Sequence, residues 1–177
     1  MSCYISSGIS LGCADSLGSL KTVYILGDSG HTVSSIDQDA DSAISGLTGT
    51  GTFYKFAVKR NTSSLTQTAN KSFENGTVFY NQDLVLSFYK YDQDKRNLVR
   101  LMAQDDNLKV VVVDQNDTSY YLGEVNGLYL SAGSAETGLA VGDKNGFSIT
   151  LTGQEPNLAN TLTADLGSVV SGITVES

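Results

Sequence analysis

The sequence predicts an all-β fold with one flanking α-helix, a β-sandwich or β-barrel, and three observations carry that prediction. Runs rich in Val, Ile, Thr, Tyr and Phe alternate between apolar and polar residues, the period-two pattern of a half-buried strand. Turn chemistry punctuates them: Gly supplies 18 of the 177 residues, and Asn-Gly pairs stand at 75–76, 126–127 and 145–146. Helical period appears once, between residues 93 and 106. With 40% hydrophobic residues the chain holds enough apolar side chain for one core, and its length suits a single domain. The organisation expected is an N-terminal arm at 1–19, a β domain over 20–165, and a C-terminal arm or edge strand at 166–177.

In chain order, the Ser/Gly-rich residues 1–19 form an arm that lies along a surface, its own or a neighbour's. Residues 21–26 (KTVYIL) are a strand, Gly27-Asp28-Ser29-Gly30 a turn, and 31–36 (HTVSSI) the returning strand of a hairpin. The polar stretch 37–51 (DQDADSAISGLTGTG) is an exposed loop with one short helical turn at 41–44, the first candidate for a functional loop. Residues 52–60 (TFYKFAVKR) alternate, with Tyr54, Phe56 and Val58 on one face and Phe53, Lys55, Ala57 and Lys59 on the other. The excursion 61–76 is either an extended hairpin arm or a mobile loop. Residues 77–90 are a long strand, with Leu84, Leu86 and Phe88 in alternation.

The helix at 93–106 carries Leu98, Leu101 and Met102 at i, i+3 and i+4, with Asp92 as N-cap. Asp105 and Asp106 at its end oppose the helix dipole, so fraying or a basic partner is expected there. Residues 108–113 (LKVVVV) read as a central strand buried on nearly both faces. Asn116-Asp117 is a turn, 120–122 a short strand, and 128–131 another before the Gly-rich link 133–142. In the strand opened by Asn145-Gly146, Phe147, Ile149 and Leu151 face the core while Ser148, Thr150 and Thr152 face away. Pro156 closes it, and the apolar tail residues Val169, Val170, Ile173 and Val175 add an edge strand, on this chain or on a neighbour.

Chemistry is sparse. Nineteen acids against eleven bases give a net charge of −8, which disfavours binding nucleic acid through its phosphates. No apolar run approaches the roughly 20 residues of a membrane-spanning helix. The start, MSCYISSGISLGC, lacks the basic and apolar regions of a secretory signal, so synthesis in the cytoplasm is expected. Cys3 and Cys13, with a single His in the chain, do not complete a common zinc site; they are two partly buried thiols or a disulfide pinning the N-terminal segment. His31 has neither a nucleophile elbow nor a phosphate loop beside it and reads as a surface residue. Asp37, Asp39 and Asp41 have the first spacings of a calcium loop, but Ser42 and Thr48 stand where Gly and Glu are needed. Carboxylate pairs suited to glycosidase chemistry are too easily drawn from nineteen acids to mean anything. With no Trp, only the nine Tyr offer a platform for sugar. No catalytic, cofactor or metal site is expected, and the chain is not expected to be an enzyme.

One ordered series carries more. The strands TFYKFAVKR and TVFYNQDLVLSFYK flank a polar excursion, followed by the helix DQDKRNLVRLMAQ, the strand LKVVVVDQN, the segment YYLGEVNGLYL, and NGFSITLTGQEP after a Gly-rich loop. In this order of elements, residues 53–162 resemble a phage tail tube (major tail) protein. The N-terminal MSCYISSGISLGC and the linker to KTVYIL likewise resemble the starts of phage structural proteins.

The resemblance implies a β-sandwich or barrel of which six copies form a ring, the inner sheets joining into a continuous barrel and the rings stacking into a tube. A long loop or hairpin and the termini of such proteins reach the adjacent ring, which places candidate contacts at Ser63, Leu65, Gln67, Asn70 and Phe73 in the excursion, in the 37–51 loop, and at Val169, Ile173 and Val175 in the tail. The lumen of such tubes is typically acidic, in keeping with the −8 charge, and Ser148, Thr150 and Thr152 are the candidate lumen face. The partners implied are further copies of the chain, other tail proteins at the tube ends, and DNA that passes without specific binding; the location implied is the virion tail. A closed ring that also stacks needs unlike, complementary surfaces, which unpaired strand edges supply. An injection-system tube subunit, a head decoration or minor virion protein, and an extracellular binding module are the alternative readings.

Overall fold

In the computed structural model, which describes residues 8–176, the first β-branched run continues as one strand, β1 (Leu20–Gln38), antiparallel to β2 (Ile44–Ala57). The expected hairpin is thereby corrected. Residues 22–27 pair with 57–52 and residues 32–38 pair with 50–44, so both halves face the same partner strand. The Gly-Asp-Ser-Gly segment is an interruption within β1, with Asp28 and Gly30 at φ 82° and 77°. Left-handed residues serve a bulge as readily as a turn, and here β2 continues past them.

The expected 37–51 loop is also corrected, because only residues 39–43 turn. Asp39 Oδ1 accepts the backbone N–H groups of Asp41 and Ala43 at 3.0 and 2.9 Å, so the expected helical turn gives way to a side-chain-closed one. The glycines of the stretch belong to β2 for a packing reason. A Cβ at Gly49 would lie 2.1 Å from the Thr32 carbonyl oxygen, and one at Gly51, at φ +121°, would lie 2.8 Å from the Gly27 carbonyl oxygen.

The 61–76 excursion takes the extended-hairpin form: β3 (Ser64–Ser72) pairs with β4 (Thr77–Tyr89) from Ser64–Val85 to Ser72–Thr77. Helix α1 (Gln93–Met102) begins where Asp92 Oδ1 accepts the Lys95 N–H at 3.0 Å. It ends four residues before the expected boundary. Gln104 N–H closes a tight turn on the Leu101 carbonyl, and Asp105 Oδ1 takes the Asn107 N–H, so the acids lie past the helix. Asp105 lies beside His31, with Nε2 3.4 Å from Oδ2.

Strands β5 (Val110–Asp114) and β6 (Ser119–Leu122) follow, then β7 (Tyr129–Glu136) and β8 (Gly146–Glu155). Strand β7 runs into the expected Gly-rich link, leaving residues 137–145 as its loop. Beyond Pro156 come β9 (Asn160–Thr161), the short helix α2 (Leu166–Val169), β10 (Val170–Ser171) and β11 (Thr174–Val175). Helix α2 is a second helix where one was expected.

The strands form two sheets. The larger runs β10-β2-β1-β5-β6-β9 with β11 also on β2, and curls into a half-barrel; the smaller runs β3-β4-β8-β7. Between them lies one core, with Val23, Ile25, Val110 and Val112 meeting Leu84, Leu86, Ile149 and Leu151. A second core fills the concave side of the curl, where Leu26, Phe53, Val111 and Tyr121 meet Leu162, Leu166, Val169 and Ile173 of the tail. Alternate valines of β5 thus enter different cores, which is why its sequence is apolar on both faces.

Candidate assembly surface

The outer face of the small sheet is assembled by register. Ser148, Thr150 and Thr152 of β8 stand beside Ser87, Val85 and Asp83 of β4, and beside Ser134, Ala132 and Tyr129 of β7; on β3 the same face continues through Ser64, Thr66 and Thr68. All three of the expected wall residues therefore share one surface, half-buried among their neighbours. Two of the three are tied to neighbouring side chains: Thr152 Oγ1 donates to Asp83 Oδ1 at 2.7 Å and meets Ser131 Oγ at 2.8 Å, while Lys144 Nζ donates to Ser148 Oγ at 3.0 Å. The face is rich in hydroxyls, with Val85, Ala132 and Tyr129 set among them and few charges.

The edges of this sheet are open. Among the described residues, no strand pairs with the outer side of β3 or of β7. Neither strand contains Pro and Lys71 is the one cation in β3, so edge protection is limited to that lysine and to the register shift at Ser131 of β7. The large sheet contrasts with this, since β10 and β11 pair with β2 and β9 pairs with β6. Leu162 N–H then donates to Ser119 and Thr163 N–H to Ile44, tying its two sides together across the curl.

The candidate contact residues divide accordingly. Val169 and Ile173 are buried in the second core, and Val175 packs against it, so the tail is an edge strand on its own chain and these side chains are withdrawn from the contact set. Ser63 is withdrawn too: it is buried, its hydroxyl without a hydrogen-bond partner. Leu65 packs against the first core, and Gln67 Oε1 accepts the Ala159 N–H at 2.7 Å, which fastens the base of the hairpin to the tail. Asn70 donates to the Thr68 carbonyl along β3. Phe73 is the member that projects, 86% exposed at the hairpin tip.

Other apolar side chains are as bare. Leu139 and Val141 in the 137–145 loop and Ile9 and Leu11 in the arm are fully exposed. Tip and loop stand at opposite ends of the small sheet, because β4 and β8 pair from Tyr80–Glu155 near the tip to Tyr89–Gly146 near the loop. The described part of the arm is held at its base, where Asn116 exchanges hydrogen bonds with Leu17 at 2.8 and 2.9 Å. Cys13 lies in its exposed part, against the expectation of partial burial, and Cys3 lies outside the described residues.

Sequence reasoning missed the joint between the sheets. The 123–128 connection from β6 to β7 is held from inside: Glu155, 2% exposed, accepts the N–H groups of Val125, Asn126 and Gly127 at 3.0, 2.9 and 3.1 Å. Buried Gln82 accepts the Gly123 N–H at 3.0 Å, and buried Lys109 donates to the Gly123 carbonyl at 2.6 Å. Burial pushes the Lys109 ammonium below its ordinary range, against the opposing pull of Glu155 and Glu124. The signal available in sequence was a Glu and a Gln at inward positions of otherwise apolar strands. Tyr121 is likewise fully buried, its hydroxyl unpartnered and its ionisation pushed up by desolvation.

Among the described residues, no group of three or more His, Cys, Asp or Glu side chains is placed to hold a metal, and no helix is long and apolar enough to cross a membrane. No protein-family model matches the sequence, and no curated protein matches it significantly.

Proposed function

We propose that this chain is a structural subunit, not an enzyme, that assembles with its own copies into closed rings stacked as a tube of the phage tail-tube kind. The observation that carries the reading is the contrast in edges: the tail covers those of the large sheet, while among the described residues no strand pairs with either edge of the small sheet. The small sheet has four strands in strict antiparallel order, so β3 and β7 run in opposite directions. When β7 of one copy meets β3 of the next around a ring axis, the new pair is antiparallel like every other. Repetition closes a barrel with no edge left over.

The wall of that barrel is the hydroxyl-rich face of Ser148, Thr150, Thr152 and their neighbours. A wetted wall with few cations, in a subunit of net charge −8, gives DNA little to hold. Six copies, other tail proteins at the tube ends and a place in the virion tail are what the resemblance to tail tube proteins adds. The projecting tip and the 137–145 loop at opposite ends offer unlike surfaces for head-to-tail stacking. Negative-stain electron microscopy of the purified protein over a concentration series, with light scattering for mass, tests the proposal. Rings or hollow tubes are expected; a monomer at every concentration overturns it.

A further inference from the structure

We infer that the groove between α1 and the β1–β2 ribbon is the acceptor for the β3–β4 hairpin tip of another copy of this chain. The groove measures about 470 Å³ and is walled by Ile25, Tyr54, Phe56, Leu98 and Leu101. Leu101 is 62% exposed there, so the helix presents apolar surface that the described residues leave uncovered. The polar lining is acidic. Asp28 accepts the Tyr54 hydroxyl at 2.5 Å, a bond that holds its carboxyl below the ordinary range and therefore charged, and Asp105 lies beside His31.

Charge selects the occupant among the bare apolar segments. The arm residues 8–18 carry Asp15 and no base, which sets them against the rim. In the 137–145 loop, Lys144 is engaged with Ser148 of its own sheet. The hairpin tip carries Phe73 with the Lys71 ammonium 4.8 Å above its ring, an aromatic anchor and a cation together, followed by Glu74.

Geometry makes the contact intermolecular. Phe56, at one end of the groove, packs on Phe88 with ring centroids 6.0 Å apart, and Phe88 lies at the far end of β4 from the tip. From Thr77 to Phe88 the strand spans about 36 Å at roughly 3.3 Å per residue, too far for a tip to fold back on its own groove. The contact is head to tail, and the inference rests on the stacking proposed above.

The test is disulfide trapping in the full chain with Cys3 and Cys13 replaced by Ser. Phe73→Cys protein is mixed with Leu101→Cys protein or with Val125→Cys protein; Val125 is 61% exposed on the loop held by Glu155, away from the groove. Mixing with Leu101→Cys is expected to give cross-linked dimer faster than mixing with Val125→Cys by about tenfold or more, the effect of a raised local concentration. Adding Lys71→Glu to the Phe73→Cys chain should lower that yield severalfold, whereas adding Glu74→Lys should not. Equal trapping by the two acceptors overturns the inference. Rings that form without selective trapping sink the groove contact alone. Selective trapping by a protein that never closes rings keeps the contact and sinks the edge-paired ring.

Discussion

Along β2 the outer edge is paired by β10 and β11, and along β6 by β9, whereas no described strand pairs with the outer edges of β3 or β7. Both sheets draw on the same strand-forming residues, so strand propensity does not separate them. What separates them is the chain after Pro156, whose strands β9, β10 and β11 all pair with the large sheet. There they cover the second core and occupy backbone groups that would otherwise pair with another molecule. The lesson is that an open edge is informative when the same chain has closed others: among the described residues the edges of the small sheet stay unpaired in a protein that has the means of capping.

The largest effect should come from undoing that cap. Ile173 is 7% exposed against the second core, and Ile173→Asp places an unpaired carboxylate there; we expect a loss of about 4 kcal/mol or more in urea unfolding, with association of the variant through the uncovered β2 edge. The matching change at the open end, Phe73→Asp on an 86% exposed residue, should alter stability by no more than about 0.5 kcal/mol. Comparable losses at both sites would erase the distinction between closed and open regions.

Next in size are paired prolines in β7. Successive N–H groups of a strand point to opposite sides, so of Ser134→Pro and Ala135→Pro one removes a ladder bond to β8 and the other removes only an outward donor. The first should cost about 3 kcal/mol; the second should leave unfolding nearly unchanged yet abolish ring formation on size-exclusion chromatography with light scattering. Assembly that survives the outward proline would show that β7 is not a joining edge.

The sheets also differ from their joint, which depends on polar groups. Glu155→Gln keeps the shape but weakens three charge-assisted bonds to the 125–127 backbone and brings a donor where acceptors are needed. A loss of about 2 kcal/mol is expected, with faster amide hydrogen exchange concentrated in residues 123–128. Uniformly faster exchange across both sheets would mean that the joint does not act locally.

How much of this was legible follows the same division. Strands β4 and β8 could be read because one face of each is buried and the other wet, so period two survives in the sequence. Strand β5 was legible for the opposite reason, being apolar on both faces. Asp92 announced α1. The second half of β2 was read from the alternation of 52–60, but its first half was hidden because Gly49 and Gly51 looked like loop residues when close approach of the bulged β1 backbone demands them. The tail was ambiguous because a short apolar segment carries no mark of whose edge it covers. The hydroxyl face could be read from Ser148, Thr150 and Thr152, but which strands bordered it required the register. The groove was invisible, since it joins residues near 25, 54 and 101 that only the packing of α1 brings together.

The smallest effect probes the closed side from within. Tyr121 Oη is buried without a partner, so Tyr121→Phe removes a desolvated hydroxyl and should stabilise the protein by about 1 kcal/mol. Burial raises the native ionisation of Tyr121 well above the ordinary tyrosine value of 10.0, to which the unfolded chain returns. Below pH 10 both states keep the proton and the gap between variant and parent stays constant. Above it the unfolded parent releases a proton that the native parent holds, so the parent loses stability as pH rises, by up to about 1.4 kcal/mol per unit, and the variant lacks this loss. Lys109, whose lowered native ionisation acts in the opposite direction, is common to both proteins and cancels in the difference. The advantage of Tyr121→Phe in urea unfolding should therefore widen between pH 10 and 11; a flat difference would mean that the concave core admits water to the hydroxyl, and that the tail closes the large sheet less tightly than its paired edges imply.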